Sequence, residues 1–159
     1  MVRIAPFRGV LYNSEKIRDL SKVVAPPYDV ITPEEQDRLY RKSPYNVVRL
    51  ILNREPDGYE SVARFFESWQ AERVFVRGEA PAIYFLRHRF RLKDGEEKDR
   101  LGFIALVRLE DFSSGNIRPH ERTLEGPKED RFRLMLACPA NLSPILVSIP
   151  SPNRPSIGC

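Results

Sequence analysis

Apolar residues recur with the spacing of an amphipathic helix in one part of the chain, and a capping signal predicts a second helix in another. Residues 58–71 place one apolar row on a single helix face, which we expect to face the core: Tyr59, Val62, Phe66 and Trp69. The other helix begins with a capping box. Thr32 precedes Pro33 at the first helical position, and Glu35 lies three residues after Thr32. This helix is predicted to end near Lys42.

Alternating or continuous runs of β-branched and apolar residues predict five strands. The segments are residues 3–12, 46–53, 82–92, 99–109 and 142–149. The third and fourth flank residues 93–95, Lys-Asp-Gly, which form a typical hairpin turn. On the third strand, His88 lies among apolar neighbours and is interpreted as a core or sheet-edge histidine. The opposite face of that strand carries Arg87, Arg89 and Arg91.

A last helix is predicted from Pro127 to about Ala137, so the order of elements is β-α-β-α-β-β-loop-α-β. This order indicates a single α/β or α+β domain that has a mixed β-sheet, a long hairpin and about three packed helices. We expect the domain to span residues 1–149. The proline-rich residues 150–159 are expected to form a disordered tail.

The composition is that of an ordinary globular domain. The 159 residues are 42% hydrophobic, which is enough for one core. The net charge of +4 permits an anionic ligand without requiring nucleic acid. No apolar run reaches the length of a membrane helix, and the N-terminus lacks the apolar core of a signal peptide. Cys138 and Cys159 match no metal-ligand spacing, so we expect no metal site. We expect a cytoplasmic protein with no membrane association.

The segment of residues 117–131, IRPHERTLEGPKEDR, concentrates charged side chains next to a helix start. The helix is predicted to begin at the step from Gly126 to Pro127, and its first N–H groups favour a phosphate or carboxylate because they lack partners within the helix. Lys128 and Arg131 are predicted to lie on one face of this helix. The loop before it carries further candidates for anion binding or proton transfer: His120, Arg122 and Thr123.

Both charged surfaces also have a simpler interpretation. The segment of residues 118–131 is equally a surface loop whose charges pair with one another, because its four basic side chains are matched by four acidic ones. The arginine row of the third strand either follows a phosphate backbone or is a solvent-exposed face. In the second case its partners are expected to be Glu96, Glu97 and Asp99.

Two adjacent prolines, Pro26 and Pro27, remove two backbone donors and predict an extended, rigid loop. This loop presents Tyr28 and Asp29. Asp29 is a candidate to orient His120 or to hold a metal-bound phosphate. Its alternative role is to accept hydrogen bonds from nearby N–H groups of the loop.

Six stretches in this order and spacing resemble the N-terminal part of a bacterial and archaeal family catalogued as domain of unknown function 1015. They are PFRGVLYN, VVAPPYDVITPEE, SPYNVVRL, GFIALVRLEDF, PHERTLEGPKEDR and NLSPI. Members of that family are typically much longer. Their later half carries an Asp-Gly-His-His-Arg motif similar to one in the ParB and sulfiredoxin-like superfamily, which includes nucleotide-using enzymes and a free-serine kinase. The present sequence lacks that motif and departs from the family pattern after about Ile145, so the resemblance implies a truncated member.

Taken with the charged segment, this resemblance favours a phosphate- or nucleotide-binding enzyme of small-molecule metabolism, of a phosphotransfer type. The expected ligand is a phosphorylated small molecule or a nucleotide with Mg²⁺. The predicted catalytic residues are His120, Glu121 and Asp29. The predicted phosphate-binding residues are Arg122, Thr123, Gly126, Lys128 and Arg131. Two alternatives remain open, a ParB-like module that binds nucleic acid and an inactive fragment that carries only part of a site.

Overall fold

A computed structural model describes residues 2–118 and 125–147 of the chain. The strands in this described part form three separate antiparallel pairs. β1 pairs with β6, β2 with β3 and β4 with β5. Their bounds are Ile4–Ala5 (β1), Val10–Tyr12 (β2), Phe75–Arg77 (β3), Tyr84–Arg91 (β4), Glu97–Ile104 (β5) and Leu106–Val107 (β6). The prediction of one mixed sheet was therefore wrong within these residues, whereas the long hairpin β4–β5 is confirmed.

The predicted strand 3–12 is divided because its residues pair with three different neighbours. Pro6 has no N–H to donate, so β1 ends before it, and the next residue, Phe7, makes an isolated bridge to Ala82. At Gly9 the chain passes close to a ring, because its N–H donates to the Tyr84 hydroxyl over 2.8 Å. A Cβ at Gly9 would meet that hydroxyl oxygen at 2.7 Å, so any other residue at this position would require the Tyr84 ring to move.

Four α-helices accompany these strands among the described residues, and helices and strands are segregated along most of the chain, as in an α+β domain. Their bounds are Pro33–Lys42 (α1), Val48–Ile51 (α2), Tyr59–Ala71 (α3) and Glu125–Ala137 (α4). The predicted cap of α1 is confirmed, since the Thr32 hydroxyl accepts a hydrogen bond from the Glu35 N–H at 3.3 Å. The α+β class is confirmed as well.

Two strand predictions were wrong. Residues 46–53 contain α2, because the side chain of Asn46 redirects the chain: its carbonyl oxygen accepts from the Val48 N–H at 3.0 Å. The β-branched composition that suggested a strand reflects burial instead, since Val48 is 0% exposed. Residues 142–147 have no regular secondary structure, and Pro144 removes a donor there. Residues 148 and 149 lie outside the described part of the chain.

The main core forms where α3 meets β3 and α4. Its buried members are Leu50, Val62, Trp69, Val74, Phe75, Leu134 and Cys138. Trp69 and Phe75 pack edge to face with ring centroids 5.2 Å apart, and the predicted apolar row of α3 lies in or against this cluster. Cys138 is 1% exposed, and burial raises the pKa of its thiol. Leu134 and Cys138 therefore fix α4 against α3, and this contact positions the helix of the charged segment.

The hairpin β4–β5 is exposed to solvent on both faces. Phe85 is 85% exposed and Leu101 is 76% exposed. His88 is exposed too, so of its two interpretations the core position was wrong and the sheet-edge position is confirmed, since both strands of a two-stranded sheet are edges. The two-stranded sheet has no third strand or helix to cover either face among the described residues. None of the helices in that part of the chain combines the length and apolar composition needed to cross a membrane.

A substitution at Asn46 tests the strongest of these local constraints. The side chain is fully buried and donates to the carbonyl oxygens of Lys22 and Val24 at 2.8 and 3.1 Å. Asn46→Ala removes these bonds and the one from Val48, which leaves buried polar groups unpaired, so we expect the free energy of unfolding to fall by about 2–4 kcal/mol. Urea denaturation measures this change. The exposed Asn141→Ala serves as control, and an equal loss in both variants would contradict the assignment.

Candidate functional site

The proline-rich loop and α4 meet at one contact between Tyr28 and Arg131. The Arg131 guanidinium lies over the Tyr28 ring with 4.1 Å from its carbon to the ring centroid. Pro27 is extended, with φ −53° and ψ 141°, and residues Tyr28–Val30 follow as one 3₁₀ turn. The loop is therefore extended only as far as Pro27. This contact joins two of the sequence stretches that are far apart along the chain.

In addition to this cation–π contact, three hydrogen bonds hold the Arg131 guanidinium in place. Nη1 donates to the carbonyl oxygen of Ile51, at the end of α2, at 3.1 Å. Nε donates to the Asp130 carboxylate at 2.9 Å, and Nη2 donates to the same oxygen. A guanidinium has five N–H donors, and these three bonds leave two without a partner among the described residues. Arg131 is thus pre-oriented and still able to donate.

Asp130 links this contact to α3. Its carboxylate accepts a hydrogen bond from the Tyr59 hydroxyl at the start of α3. Burial raises the pKa of Asp130, but the Tyr59 hydroxyl and the Arg131 guanidinium outweigh burial and hold the pKa below its usual value. The same bond and partial burial raise the pKa of Tyr59. The carboxylate is therefore ionised and the hydroxyl protonated at neutral pH.

The structure describes some of the other predicted site residues and not the rest. α4 begins at Glu125 rather than at Pro127, which is tolerated because a first-turn proline has no intrahelical bond to lose. Lys128 and Asp29 are exposed, and neither has a hydrogen bond or ion pair to another described side chain. Gly126 is exposed, and nothing lies within 4 Å of a Cβ built on it. The remaining predictions lie outside the described residues: His120, Glu121, Arg122 and Thr123.

Sequence reasoning missed the roles of Tyr59 and Asp130. Tyr59 was expected to pack its ring in the core row of α3, and it does lie against that cluster, but its hydroxyl also bonds across to α4. Asp130 was considered only as one of the acids that balance the basic residues. The sequence carried no spacing signal for the Asp130–Arg131 contact, because adjacent residues of a helix do not normally face each other.

The arginine row of β4 has acidic partners within the hairpin itself. The ion pairs are Arg87–Asp99, Arg89–Asp99, Arg91–Glu97 and Lys98–Glu96. Arg89 and Arg87 hold the pKa of Asp99 below its usual value. The interpretation as a solvent-exposed face is confirmed for Glu97 and Asp99, whereas Glu96 pairs with Lys98 instead. Among the described residues, no three histidine, cysteine or acidic side chains converge as metal ligands would.

Comparison with known proteins gives one match. The model of a family described as "Protein of unknown function (DUF1015)" matches residues 4–157. No curated protein and no solved structure matches the chain. The match includes the proline-rich loop, α2, α3 and α4, which are the elements that meet at Arg131.

Arg131→Ala tests whether this cluster holds α4 in place. It removes the bond to the Ile51 carbonyl and leaves the partly buried Asp130 without its cation, so we expect the free energy of unfolding to fall by about 2 kcal/mol. Arg133→Ala is the matched control on the same helix, because Arg133 pairs with Glu129 on the exposed face. Such exposed pairs contribute about 0.5 kcal/mol or less. Urea denaturation of both variants is the measurement, and equal losses would contradict the proposed role.

Tyr59→Phe tests the hydrogen bond to Asp130 without removing the ring. The Asp130 carboxyl has a lowered pKa in the folded state, so the unfolded state binds more protons and stability falls as pH drops through the folded pKa. Without the hydroxyl, the pKa of Asp130 is expected to rise and this loss of stability to shrink. Carboxyl NMR titration measures the first effect, and acid denaturation measures the second. An unchanged titration of Asp130 would refute the assignment.

Proposed function

The chain belongs to the DUF1015 family of proteins of unknown function, and we propose that it binds the phosphate group of a small molecule or nucleotide beside α4. The observation that carries this proposal is the pre-oriented Arg131, which keeps two N–H donors after binding Asp130 and Ile51. An arginine held by its neighbours loses little side-chain entropy when it binds an oxyanion. Planar, paired N–H donors also match the geometry of phosphate oxygens.

Lys128 supports the same assignment. It lies three residues before Arg131 on α4, so the two side chains are neighbours on one side of the helix. It has no acidic partner among the described residues, in contrast to Arg133, which pairs with Glu129. The N–H groups of the first helical turn have no partners within the helix, and together with the helix dipole they add to the positive potential there. This end of α4 therefore offers a phosphate both charge and directed hydrogen bonds.

The proline-rich loop supplies the opposite side of the proposed site. Tyr28 contacts Arg131, and the adjacent Asp29 carboxylate is exposed and without a bonded partner among the described residues. One carboxylate together with phosphate oxygens is a usual ligand set for Mg²⁺, so Asp29 fits the role of the protein ligand to a metal–nucleotide. The ion would supply neutralisation of phosphate charge. Asp29 would thereby fix the orientation of the phosphate chain relative to Lys128.

For the chemical step we propose a phosphotransfer-type reaction in small-molecule metabolism. His120 and Glu121 carry the imidazole and the carboxyl group that would take part in proton transfer. Arg122 and Thr123 would add donors to the transferred group. These four residues precede α4 directly in the sequence. Nucleic-acid binding has less support, because the arginines of β4 are already paired with Asp99 and Glu97.

Thermal-shift assays with ATP, ADP, CTP and pyrophosphate, each with and without Mg²⁺, test this proposal. We expect at least one of them to raise the Tm in a saturable way. Lys128→Ala should weaken that ligand by about tenfold, which corresponds to the loss of one charge-assisted contact of about 1.4 kcal/mol. Lys93→Ala removes the same charge from the β4–β5 turn and should leave the affinity unchanged. Equal affinities in all three proteins would count against the site.

A further inference from the structure

The strand pair β1–β6 ends in two arginines that face each other. Arg3 and Arg108 are the next residues in the register that pairs Ile4 with Val107, and the Arg108 N–H donates to the Arg3 carbonyl oxygen at 3.0 Å. Side chains at such directly opposite positions have Cβ atoms only about 4.5–5.5 Å apart. Like charges on directly opposite residues disfavour the pairing of the strand ends, and an anion bound between the two guanidinium groups would offset this repulsion.

Both arginines line one open cleft of about 630 Å³. The cleft lies at the start of the loop that leads into the charged segment, and Glu110, Asp111 and Ser114 also line it. Neither arginine forms an ion pair with any side chain in residues 2–118 and 125–147. In this respect they differ from the three arginines of β4, each of which has an acidic partner.

The two acidic residues of the cleft are engaged by the loop itself. Glu110 accepts hydrogen bonds from the Ser114 hydroxyl at 3.4 Å and from the Asn116 amide at 2.6 Å. Asp111 accepts from the Ser113 N–H at 2.8 Å and so caps the 3₁₀ turn Phe112–Ser114. The acids keep their charge and shape the loop, and among the described residues neither of them forms an ion pair with Arg3 or Arg108.

We propose that this cleft is a second anion site, in which Arg3 and Arg108 together bind one small dianionic group. The chemical class is a phosphate group or a dicarboxylate, since either places two charged oxygens against two guanidinium groups. A single bound dianion would replace the repulsion between the arginines with two charge-assisted contacts. The site shares no residue with the proposed phosphate site on α4, so the test of one site does not decide the other.

Isothermal titration calorimetry with inorganic phosphate, pyrophosphate and malonate tests this proposal on the full chain. We expect saturable binding of at least one probe, weakened tenfold or more by Arg3→Ala and by Arg108→Ala. Arg18→Ala is the matched control, because Arg18 is also exposed and has no acidic partner among the described residues. Saturation by phosphate alone or by malonate alone identifies the source of the dianion and supports the proposal in either case.

A second measurement separates this site from simple loss of structure. Because each substitution removes one of two repelling charges, Arg3→Ala and Arg108→Ala should have a Tm no lower than that of the parent protein at low salt, while the Tm increase caused by the anion is lost. Absence of saturable binding overturns the proposal. So does binding that is unaffected by both arginine variants, or binding that is weakened only by Lys128→Ala, since that result assigns the anion to α4.

Discussion

The buried amide of Asn46 fixes the path of the chain on which the rest of the arrangement depends. It bonds to two carbonyl oxygens of residues 22–24 and to the N–H that begins α2. Residues 22–24 lead directly into the proline-rich loop, and α2 ends at Ile51, whose carbonyl receives the Arg131 guanidinium. One side chain thus sets the positions of both surfaces that contact Arg131. A buried amide is well suited to this task because its donors and acceptor are all directional.

Elements that depend on local interactions were predictable from the sequence. The start of α1 follows from Thr32, Pro33 and Glu35, which interact within one helical turn, and α3 follows from the periodicity of its apolar row. α2 was not predictable, because the two bonds that hold the buried Asn46 side chain in place reach residues more than 20 positions away. The strand pairs likewise depend on non-local partners, which explains why a single mixed sheet was expected in place of three separate pairs.

The candidate site shows the same division. The sequence was sufficient to single out Lys128 and Arg131, because they lie beside a predicted helix start, and Asp29, because it lies in a proline-rich loop. It was not sufficient to show that Arg131 contacts Ile51 and Tyr28, or that Asp130 binds Tyr59, since these partners belong to separate elements. Arg131 is therefore both a structural link and a proposed ligand contact, whereas Lys128 and Asp29 have no side-chain bond to lose among the described residues. Substitutions at the latter two positions report on binding with the least effect on folding.

The buried cysteine at the end of α4 has a consequence for how the attachment of this helix is observed. Only the thiolate reacts rapidly with alkylating reagents, and Cys138 is enclosed while burial raises the pKa of its thiol. Modification at this position consequently requires α4 to separate from α3 for a moment. The rate at which Cys138 is alkylated thus reports how often α4 separates from α3. Any ligand that tightens the contact between α4 and its neighbours lowers this alkylation rate, even when it binds a full helix length away.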